Sequence, residues 1–504
     1  MERIRYPKKA KELIAELMLA KEQGNLENKF IEIFGMHEMD MMQIWECRHI
    51  IRDFSDDFYR SNKSLIPFRV LIEAMSGNVE ESEKLTALYE RNFWEIRTTE
   101  LKPSDYSAIM LDLVLPSLSS YEFAKRIYFL VRRLPFPIPG LALTACRLSV
   151  SNGFRDLTPW CSKMQDQREQ IEQCIHMLYG KSAKGVYEVG LAEWKYETDN
   201  VFEALLLVAD TIPTLDNSDD IRCLVAAYAL QMRILILNGQ AKGCDEIFAR
   251  IFEKIEAKHF EELEMSVRAL KCLFACYEGK NDEVREWMEN HAPNENLDLF
   301  TMDMYAYLVK MRCYLQTGRY MMTSLLAKRL LELLKKSSRP HDICECYMLS
   351  AMACYKAGDM DNAVKDFEKS LEIGIPLGYQ RLYSDEGQMM LNLIQLYRDN
   401  KKKRPDKEAK FDEKKLRKIK SSATEIARRF PEYLEAVQDM YNELTKTEKA
   451  VLSLLAEGLS NDEIASELGK KSGSIKFHTS GIYRKLNVEN RQQAINVARS
   501  LGII

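Results

Sequence analysis

Residues 354–376 read CYKAGDMDNAVKDFEKSLEIGIP, a pattern that predicts two α-helices joined by a tight turn. Gly358 suits the left-handed conformation that commonly ends a first helix. Ala363 is small enough for the second helix to approach closely, and Phe367, one helical turn later, would fill the groove between the two helices. Pro376 predicts the end of the second helix, because proline has no main-chain N–H to donate. The stretch is therefore predicted to be a helical hairpin.

The same turn recurs at an almost constant interval along the chain. Glycines spaced 40, 39 and 40 residues apart each separate two apolar helical stretches: Gly239, Gly279, Gly318 and Gly358. Forty residues before the first of them, Asp199 has similar neighbours without the glycine, and Gly24 and Gly77 are turn candidates nearer the start. Equally spaced helical hairpins predict an α-solenoid, with a generic helical bundle as the alternative.

The composition agrees with an all-α, cytoplasmic protein. Apolar residues make up 46% of the chain, while glycine and proline together account for only 35 of its 504 residues. No segment approaches the roughly 18 uninterrupted apolar residues of a membrane span, and residues 1–15 have no secretion signal. The 12 cysteines show no framework spacing, which fits a reducing compartment. Membrane, secreted, collagen-like and disordered classes are thereby excluded.

The end of the chain, from residue 441 to residue 504, predicts four short helices. The first two would begin at capping boxes, formed by Thr445 with Glu448 and by Ser460 with Glu463. The third helix is predicted over 472–486, and its inward face consists of Ile475, Thr479, Ile482 and Leu486. Its opposite face presents Lys476, Phe477, Ser480 and Arg484. A tight turn followed by a helix with a basic outer face predicts a DNA-binding helix-turn-helix, with a four-helix cap as the alternative.

Residues 444–498 resemble a LuxR-type (GerE-like) DNA-binding domain along their whole length. The matching positions include Leu444, Thr445, Glu448, Gly458, Ser460, Asn461, Glu463, Ile464, Ala465, Lys476, His478, Ile482, Lys485, Leu486, Val488, Arg491 and Ala494. The resemblance implies a regulator that binds double-stranded DNA, as a homodimer that pairs through its last helix.

The resemblance also implies roles for individual residues. The positions from which relatives reach base edges are Lys476, Phe477 and Ser480. The positions near the DNA backbone are Ser460, Asn461, Ser474, Arg484, Lys485 and Arg491. Two positions depart from the family pattern, because Lys471 stands where relatives place a capping serine and Gly481 replaces a common asparagine. A glycine inside a helix loosens it. His478 is expected to pack against its neighbours and to have no catalytic or ligand-binding role.

Three stretches, 115–131, 148–160 and 179–208, resemble the helical region of the large MalT-like regulators, in which repeats precede a LuxR-type domain. The ATPase module of those relatives has no counterpart, since Gly180-Lys181-Ser182 lacks the upstream glycine of a phosphate-binding loop. We therefore expect no cofactor. The predicted domains are a helical region of divergent repeats at 1–180, a tetratricopeptide-like array at 181–398, a basic linker and helix at 399–440, and the LuxR-type domain at 441–504.

The predicted linker is strongly basic. Between Lys401 and Arg429 the chain carries 13 basic and 5 acidic residues. A solvated linker is the simpler interpretation. A linker that also attracts DNA phosphates is the alternative.

A phosphorylated receiver domain is a competing interpretation of the region before the repeats. Asp112 lies in an apolar run before a proline, as a phosphoacceptor would, and Thr144 and Lys163 follow it. However, RVLIEAM at 69–75 has Glu73 and Ala74 where the metal site of a receiver needs two acidic residues. We therefore predict helical hairpins, with a response regulator phosphorylated at Asp112 as the alternative.

Other chemistry finds little support in the sequence. The cluster His341, Cys344 and Cys346 and the pair Cys272 and Cys276 lack the usual spacing of metal ligands and are predicted to pack in the core. No nucleophile elbow, zinc-protease motif or dinucleotide fingerprint occurs, so neither a metal site nor an enzyme is expected. The predicted function is sequence-specific DNA binding that regulates transcription, with repeats that sense a small ligand, a peptide or a protein. An interaction scaffold with a secondary DNA-binding domain is the alternative.

Overall fold

The computed structural model describes residues 6–37, 39, 41–93, 144, 147–153, 155–403, 411–435, 444–486, 488 and 490–500. Throughout these ranges the secondary structure is helical, and the only β-type pairing is a single bridge between Asn152 and Asp156. The prediction of an all-α protein, a solenoid followed by a four-helix domain, is confirmed. Within the same ranges, no helix combines the length and apolar character that a membrane crossing needs.

The described residues up to Phe93 contain seven α-helices: α1 (Ala10–Glu22), α2 (Leu26–Met36), α3 (Met41–Glu46), α4 (Arg48–Asp53), α5 (Asp56–Ser61), α6 (Ile66–Met75) and α7 (Val79–Phe93). Their buried aromatic side chains share one core, in which Phe30 stacks on Phe34 at 4.1 Å between ring centroids. The tight turn at Gly77 lies against Leu333, so close that a Cβ there would be 2.9 Å from the Leu333 Cδ1 atom. This first part therefore packs on the repeats.

Between Thr158 and Leu377 the described residues of the repeat region form twelve α-helices: α8 (Thr158–Cys161), α9 (Arg168–Tyr179), α10 (Val186–Glu197), α11 (Val201–Leu215), α12 (Arg222–Leu237), α13 (Cys244–Lys258), α14 (Glu264–Tyr277), α15 (Asn281–Asn290), α16 (Met304–Gln316), α17 (Tyr320–Leu334), α18 (Pro340–Lys356) and α19 (Met360–Leu377). From α10 onward, successive pairs form hairpins that stack into one continuous apolar core. A repeat unit cannot bury its apolar face alone, so the stacking supplies the stability.

The turns between paired helices lie at the predicted glycines. Each adopts a positive φ, with values of 76°, 67°, 72° and 83° at Gly239, Gly279, Gly318 and Gly358. Asp199 takes the same place in the first hairpin with a φ of 68°, a conformation that short polar side chains tolerate better than most. Each repeat of about 40 residues thus corresponds to one helical hairpin.

The hairpin that begins at α18 packs as its sequence predicts, with one difference. Ala363 and Phe367 are buried between the two helices. Ser370, where the tetratricopeptide pattern prefers alanine, is also buried and donates a hydrogen bond of 2.8 Å to the Cys344 carbonyl oxygen. The second helix ends at Leu377 and not at Pro376, because the left-handed turn is made by Gly378, with φ at 86°.

Three further helices close the repeat region: α20 (Arg381–Ser384), α21 (Gly387–Lys403) and α22 (Lys415–Arg429). The helix α22 lies in the predicted basic linker, yet its apolar face belongs to the repeat core, with Leu416, Ile419, Ala423 and Ile426 all buried. The basic residues between Lys415 and Arg429 are therefore carried by a helix that packs on the repeats. The predicted domain boundaries stay predictions.

The last helices are α23 (Lys446–Ala456), α24 (Asn461–Glu467), α25 (Ser472–Leu486) and α26 (Arg491–Ser500). They enclose a separate small core that includes Val451, Leu455, Ile464, Ile475 and Ile482, and Met321 of α17 packs against it.

The structure has a helix where the receiver interpretation needs a first strand. The stretch RVLIEAM lies within α6, and Glu73 forms hydrogen bonds of 3.0 and 3.2 Å with the Arg52 guanidinium. Asp112 lies outside the described residues, whereas Thr144 is buried and Lys163 is exposed. An arginine-paired glutamate on a helix is not the acidic pair of a receiver metal site.

Candidate nucleic-acid interface

Two capping boxes fix the starts of α23 and α24. The Thr445 hydroxyl accepts a hydrogen bond of 3.2 Å from the Glu448 N–H, while the Glu448 carboxylate accepts one of 2.7 Å from the Thr445 N–H. Ser460 and Glu463 repeat the arrangement at 3.4 and 2.7 Å. Each box satisfies two donors that a helix end otherwise leaves free. Both predicted starts are confirmed.

The helix α25 has one buried and one exposed face. Ile475, Ile482 and Leu486 are fully buried, so they set the rotation of the helix about its axis. On the other side Lys476 and Ser480 are exposed, and Phe477 is 77% exposed. The Phe477 ring therefore contributes little to the core of the domain and is accessible to a partner.

The exposed face of α25 belongs to a basic stretch. From residue 470 to residue 485 the chain has five lysine or arginine residues and no aspartate or glutamate. An α-helix fits the major groove of DNA, where lysine reads guanine and an apolar side chain contacts the thymine methyl group. The three side chains predicted to read bases, Lys476, Phe477 and Ser480, therefore share a surface that is suited to that purpose.

The predicted phosphate site at the start of α24 already contains a carboxylate. Ser460 is exposed and Asn461 is half-buried, at the N-terminal end of the helix. The pKa of the Glu463 carboxyl lies below its usual range, because the main-chain N–H of Ser460 donates to it. A phosphate that approached this helix end would therefore meet a negative charge as well as free main-chain N–H groups.

The remaining backbone-contact candidates differ in their surroundings. Ser474 is half-buried in the first turn of α25, and Arg484 and Lys485 lie in the last turn of the same helix. Arg491, at the start of α26, donates a hydrogen bond of 2.5 Å from Nη2 to the Leu455 carbonyl oxygen. Part of the Arg491 guanidinium is thus used inside the domain, and its contact with phosphate stays a prediction.

The structure gives a reason for the unusual Gly481. A Cβ atom at this position would lie 3.0 Å from Oε1 of Glu448, the carboxylate of the first capping box. Gly481 therefore lets α25 approach the start of α23 closely. Lys471 closes the turn before α25 through its carbonyl oxygen, which accepts from the N–H groups of Ser474 and Ile475 at 2.9 and 3.2 Å.

Three thiols converge in the repeat region. The Sγ atom of Cys313 lies 3.4 Å from that of Cys272 and 3.9 Å from that of Cys276, and all three residues are buried. The sequence indicated only the pair on α14, because Cys313 comes 37 residues later, on α16. Three thiolates are ligands that a soft metal ion would accept.

A second group with possible ligand atoms, formed by His341, Asp342 and Glu345, is already paired with cations. Arg147 donates to the Asp342 and Glu345 carboxylates at 2.8 and 2.7 Å, and Arg339 donates to Asp342 at 2.5 Å. Burial raises the pKa of Asp342, but the charges of Arg339 and Arg147 outweigh it and hold that pKa below its usual range. The arginines take the place that a metal ion would need.

Comparison with known proteins finds similarity in two parts of the chain. Residues 442–498 match the family of bacterial regulatory proteins called the luxR family. The transcriptional regulatory protein DesR of Bacillus subtilis (strain 168) is 43% identical over 72 residues, which is 14% of this chain and 36% of that protein. The HTH-type transcriptional regulator MalT of Vibrio campbellii (strain ATCC BAA-1116) is 45% identical over 58 residues, 12% of this chain and 6% of that protein.

The repeats have a match of their own. Residues 167–400 match the MalT-like TPR region. The HTH-type transcriptional regulator MalT of Cronobacter sakazakii (strain ATCC BAA-894) is 28% identical over 197 residues, which cover 35% of this chain and 21% of that protein. The chain thus spans well under two thirds of these relatives. It carries a MalT-like TPR region at residues 167–400 and a regulatory helix-turn-helix domain of the luxR family at residues 442–498.

Proposed function

We propose that this protein regulates transcription by binding specific DNA sites through α25. The observation that carries the proposal is the face formed by Lys476, Phe477 and Ser480, which is exposed and lies in a stretch with five basic and no acidic residues. Base contacts supply sequence preference, and the surrounding lysines and arginines supply attraction to phosphate.

The DNA-bound form is proposed to be a homodimer at inverted half-sites. The resemblance to luxR-family domains suggests pairing through α26, whose Ala494 and Ala498 face the core of the domain. Its other side carries polar residues, including the exposed Gln492 and Gln493. Two recognition helices about one DNA turn apart, roughly 34 Å, would read a two-fold symmetric site.

We further propose that the repeat region senses a ligand or a protein partner. A stacked array of hairpins presents an extended concave surface, which is the part such proteins use for binding. The match to the MalT-like TPR region supports this proposal.

The test is DNA binding by the full chain, measured by fluorescence anisotropy. The DNA is a duplex that the full chain has selected from a random pool of sequences. Replacing Lys476, Phe477 and Ser480 together by alanine should abolish preference for that duplex over a scrambled one. The matched control replaces three exposed residues of the same domain, Lys449, Glu457 and Glu467, by alanine and should keep the preference. Equal preference in both triple variants would refute the assignment of α25 as the recognition helix.

A further inference from the structure

The segment that follows α22 crosses the repeats before it reaches the DNA-binding domain. Residues 429–435, with the sequence RFPEYLE, run past successive hairpin turns in order. Their contacts, one at each turn, are Arg429 with Leu237, Glu432 with Gly279, Leu434 with Gln316, and Glu435 with Lys356. The helix ends at Leu237, Gln316 and Lys356, together with the turn at Gly279, thus form one contact surface along the repeats, which we call the turn groove.

Within the turn groove, Gln316 binds both an N–H group and a carbonyl group of the segment's main chain. The Gln316 carboxamide accepts a hydrogen bond of 2.6 Å from the Leu434 N–H and donates one of 3.3 Å to the Glu432 carbonyl oxygen. Gln316 itself is 1% exposed. A buried side-chain amide can bind one main-chain N–H and one main-chain carbonyl group whatever the side chains of the peptide are. Gln316 therefore recognises the main chain of a peptide and not its sequence.

Side chains of the segment add selectivity. The Tyr433 ring lies on Tyr277 with 4.2 Å between centroids, and its hydroxyl donates a hydrogen bond of 2.9 Å to the Glu386 carboxylate. The Glu435 carboxylate pairs with the Lys356 ammonium at 2.9 Å. The segment lies in consecutive turns, in which the N–H groups of Tyr433 and Glu435 donate to the carbonyl oxygens of Phe430 and Glu432 at 3.2 and 3.1 Å. The turn groove therefore fits a peptide with a turn conformation that presents an aromatic, an aliphatic and an acidic residue in that order.

The segment is bound in a conformation that its sequence does not favour. Leu434 has a φ of +58°, in the left-handed region that leucine rarely adopts. The Gln316 hydrogen bond and the burial of the Leu434 side chain hold it there. A strained residue persists only where its surroundings impose the conformation, and such residues cluster at ligand sites and switches.

We propose that the turn groove is a peptide-binding site, and that Phe430–Glu435 is its resident ligand, displaceable by a peptide of the same kind supplied from outside. The consequence for regulation rests on the proposed function. Only eight residues, 436–443, separate Glu435 from Leu444, the first residue of the small DNA-binding core. They span at most about 29 Å. Exchange of the resident segment for another peptide adds Phe430–Glu435 to this tether and so widens the range that the DNA-binding domain can reach.

The test uses the full chain, a fluorescent peptide RFPEYLE and anisotropy without DNA. Leu434→Pro removes the donor to Gln316 and forbids a φ of +58°, so it empties the turn groove without changing its walls. The peptide is expected to bind this variant at least tenfold more tightly than the unaltered chain. Adding Gln316→Ala should abolish the gain. Leu434→Gly is the matched control, because it loses the same side chain but keeps the N–H and adopts the positive φ freely. The affinity of Leu434→Gly for the peptide should lie between those of the unaltered chain and Leu434→Pro.

Two outcomes would overturn the proposal: no binding of the peptide to Leu434→Pro when circular dichroism shows a folded helical chain, or equal binding to the unaltered chain. If Leu434→Pro does not fold, Lys356→Glu should bind RFPEYLK better than RFPEYLE, and the reverse order would overturn the proposal. Because DNA is absent from these measurements, a chain that binds DNA and no peptide refutes only this inference. A chain that binds peptide and no DNA refutes only the proposed function.

Discussion

The guanidinium of Arg491 is hydrogen-bonded to the carbonyl oxygen of Leu455, with 2.5 Å between Nη2 and the oxygen. Leu455 lies in the last turn of α23, and its carbonyl oxygen, which also accepts from the Gly458 N–H at 3.1 Å, is shared with the Arg491 guanidinium. The bond therefore ties the first and last helices of the DNA-binding domain together and places a positive charge at a helix C-terminus, where it is favourable.

Replacing Arg491 by lysine separates this internal contact from the predicted contact with phosphate. Arg491→Lys keeps the charge but loses the reach and planar geometry of the guanidinium. We expect the free energy of opening of α26 to fall by about 1 kcal/mol, measured by hydrogen exchange, while the salt dependence of DNA binding stays the same. Arg499→Lys, in the same helix, is the control. A changed salt dependence with unchanged protection of α26 would contradict the internal role.

Lys476→Ala is expected to change which DNA sequences the protein prefers. A lysine at a base edge contributes roughly 1–3 kcal/mol of discrimination, so the information content at one position of the bound motif should fall. Ser480→Ala should act in the same way. Lys485→Ala, by contrast, should weaken all sites alike and lower the salt slope by about one. The readout is sequencing of selected duplexes, and a changed preference with Lys485→Ala would mean that the groove assignment is wrong.

Glu463→Gln is expected to strengthen DNA binding. Glutamine can still accept the hydrogen bond from the Ser460 N–H, so the capping box survives. The substitution removes a negative charge from the helix end at which a phosphate is predicted to bind. The gain should be severalfold at low salt and should disappear as salt screens the charge. Glu467→Gln, at the other end of α24, serves as the control, and an equal gain there would contradict a phosphate near Ser460.

Thr445→Ala should destabilise the start of α23 without touching the recognition face. Loss of an N-cap side chain costs about 1 kcal/mol, so the main-chain amides of the first turn should exchange faster by about fivefold. The capping hydrogen bond is made by the Thr445 side chain. Thr447→Ala, two residues further on, should therefore have a much smaller effect. Equal effects would show that the capping box is not what holds this helix end.

Short sequence motifs predicted the helices well, because the interactions that start and end a helix join residues that are close in sequence. The capping boxes at Thr445 and Ser460 marked helix starts that the structure confirms, and the helix from Ser472 to Leu486 has its predicted bounds. Even Asp199, which the spacing placed at a repeat turn without glycine, adopts the same left-handed conformation as the glycines. Pro376 was less informative, because a proline in the last turn leaves the exact end to the following glycine.

Contacts between distant parts of the chain could not be predicted. Nothing near Leu434 in the sequence indicates that its N–H would meet Gln316, 118 residues earlier. The same holds for Cys313, which joins two thiols of another helix, and for Gly481, whose unusual presence is explained only by the approach of Glu448. A basic linker and helix was predicted at 399–440, but the lysines and arginines of α22 gave no indication that its apolar face would pack on the repeats.

Sequence-specific binding of DNA by the full chain is the central claim, and selection from a random pool tests it most directly. Bound duplexes would be recovered at two salt concentrations and sequenced. We predict enrichment of one motif with two-fold symmetry that persists at the higher salt concentration. Binding without enrichment, fading steeply as salt rises, would mean that only phosphate contacts occur, and would contradict a dimeric regulator that reads bases through α25.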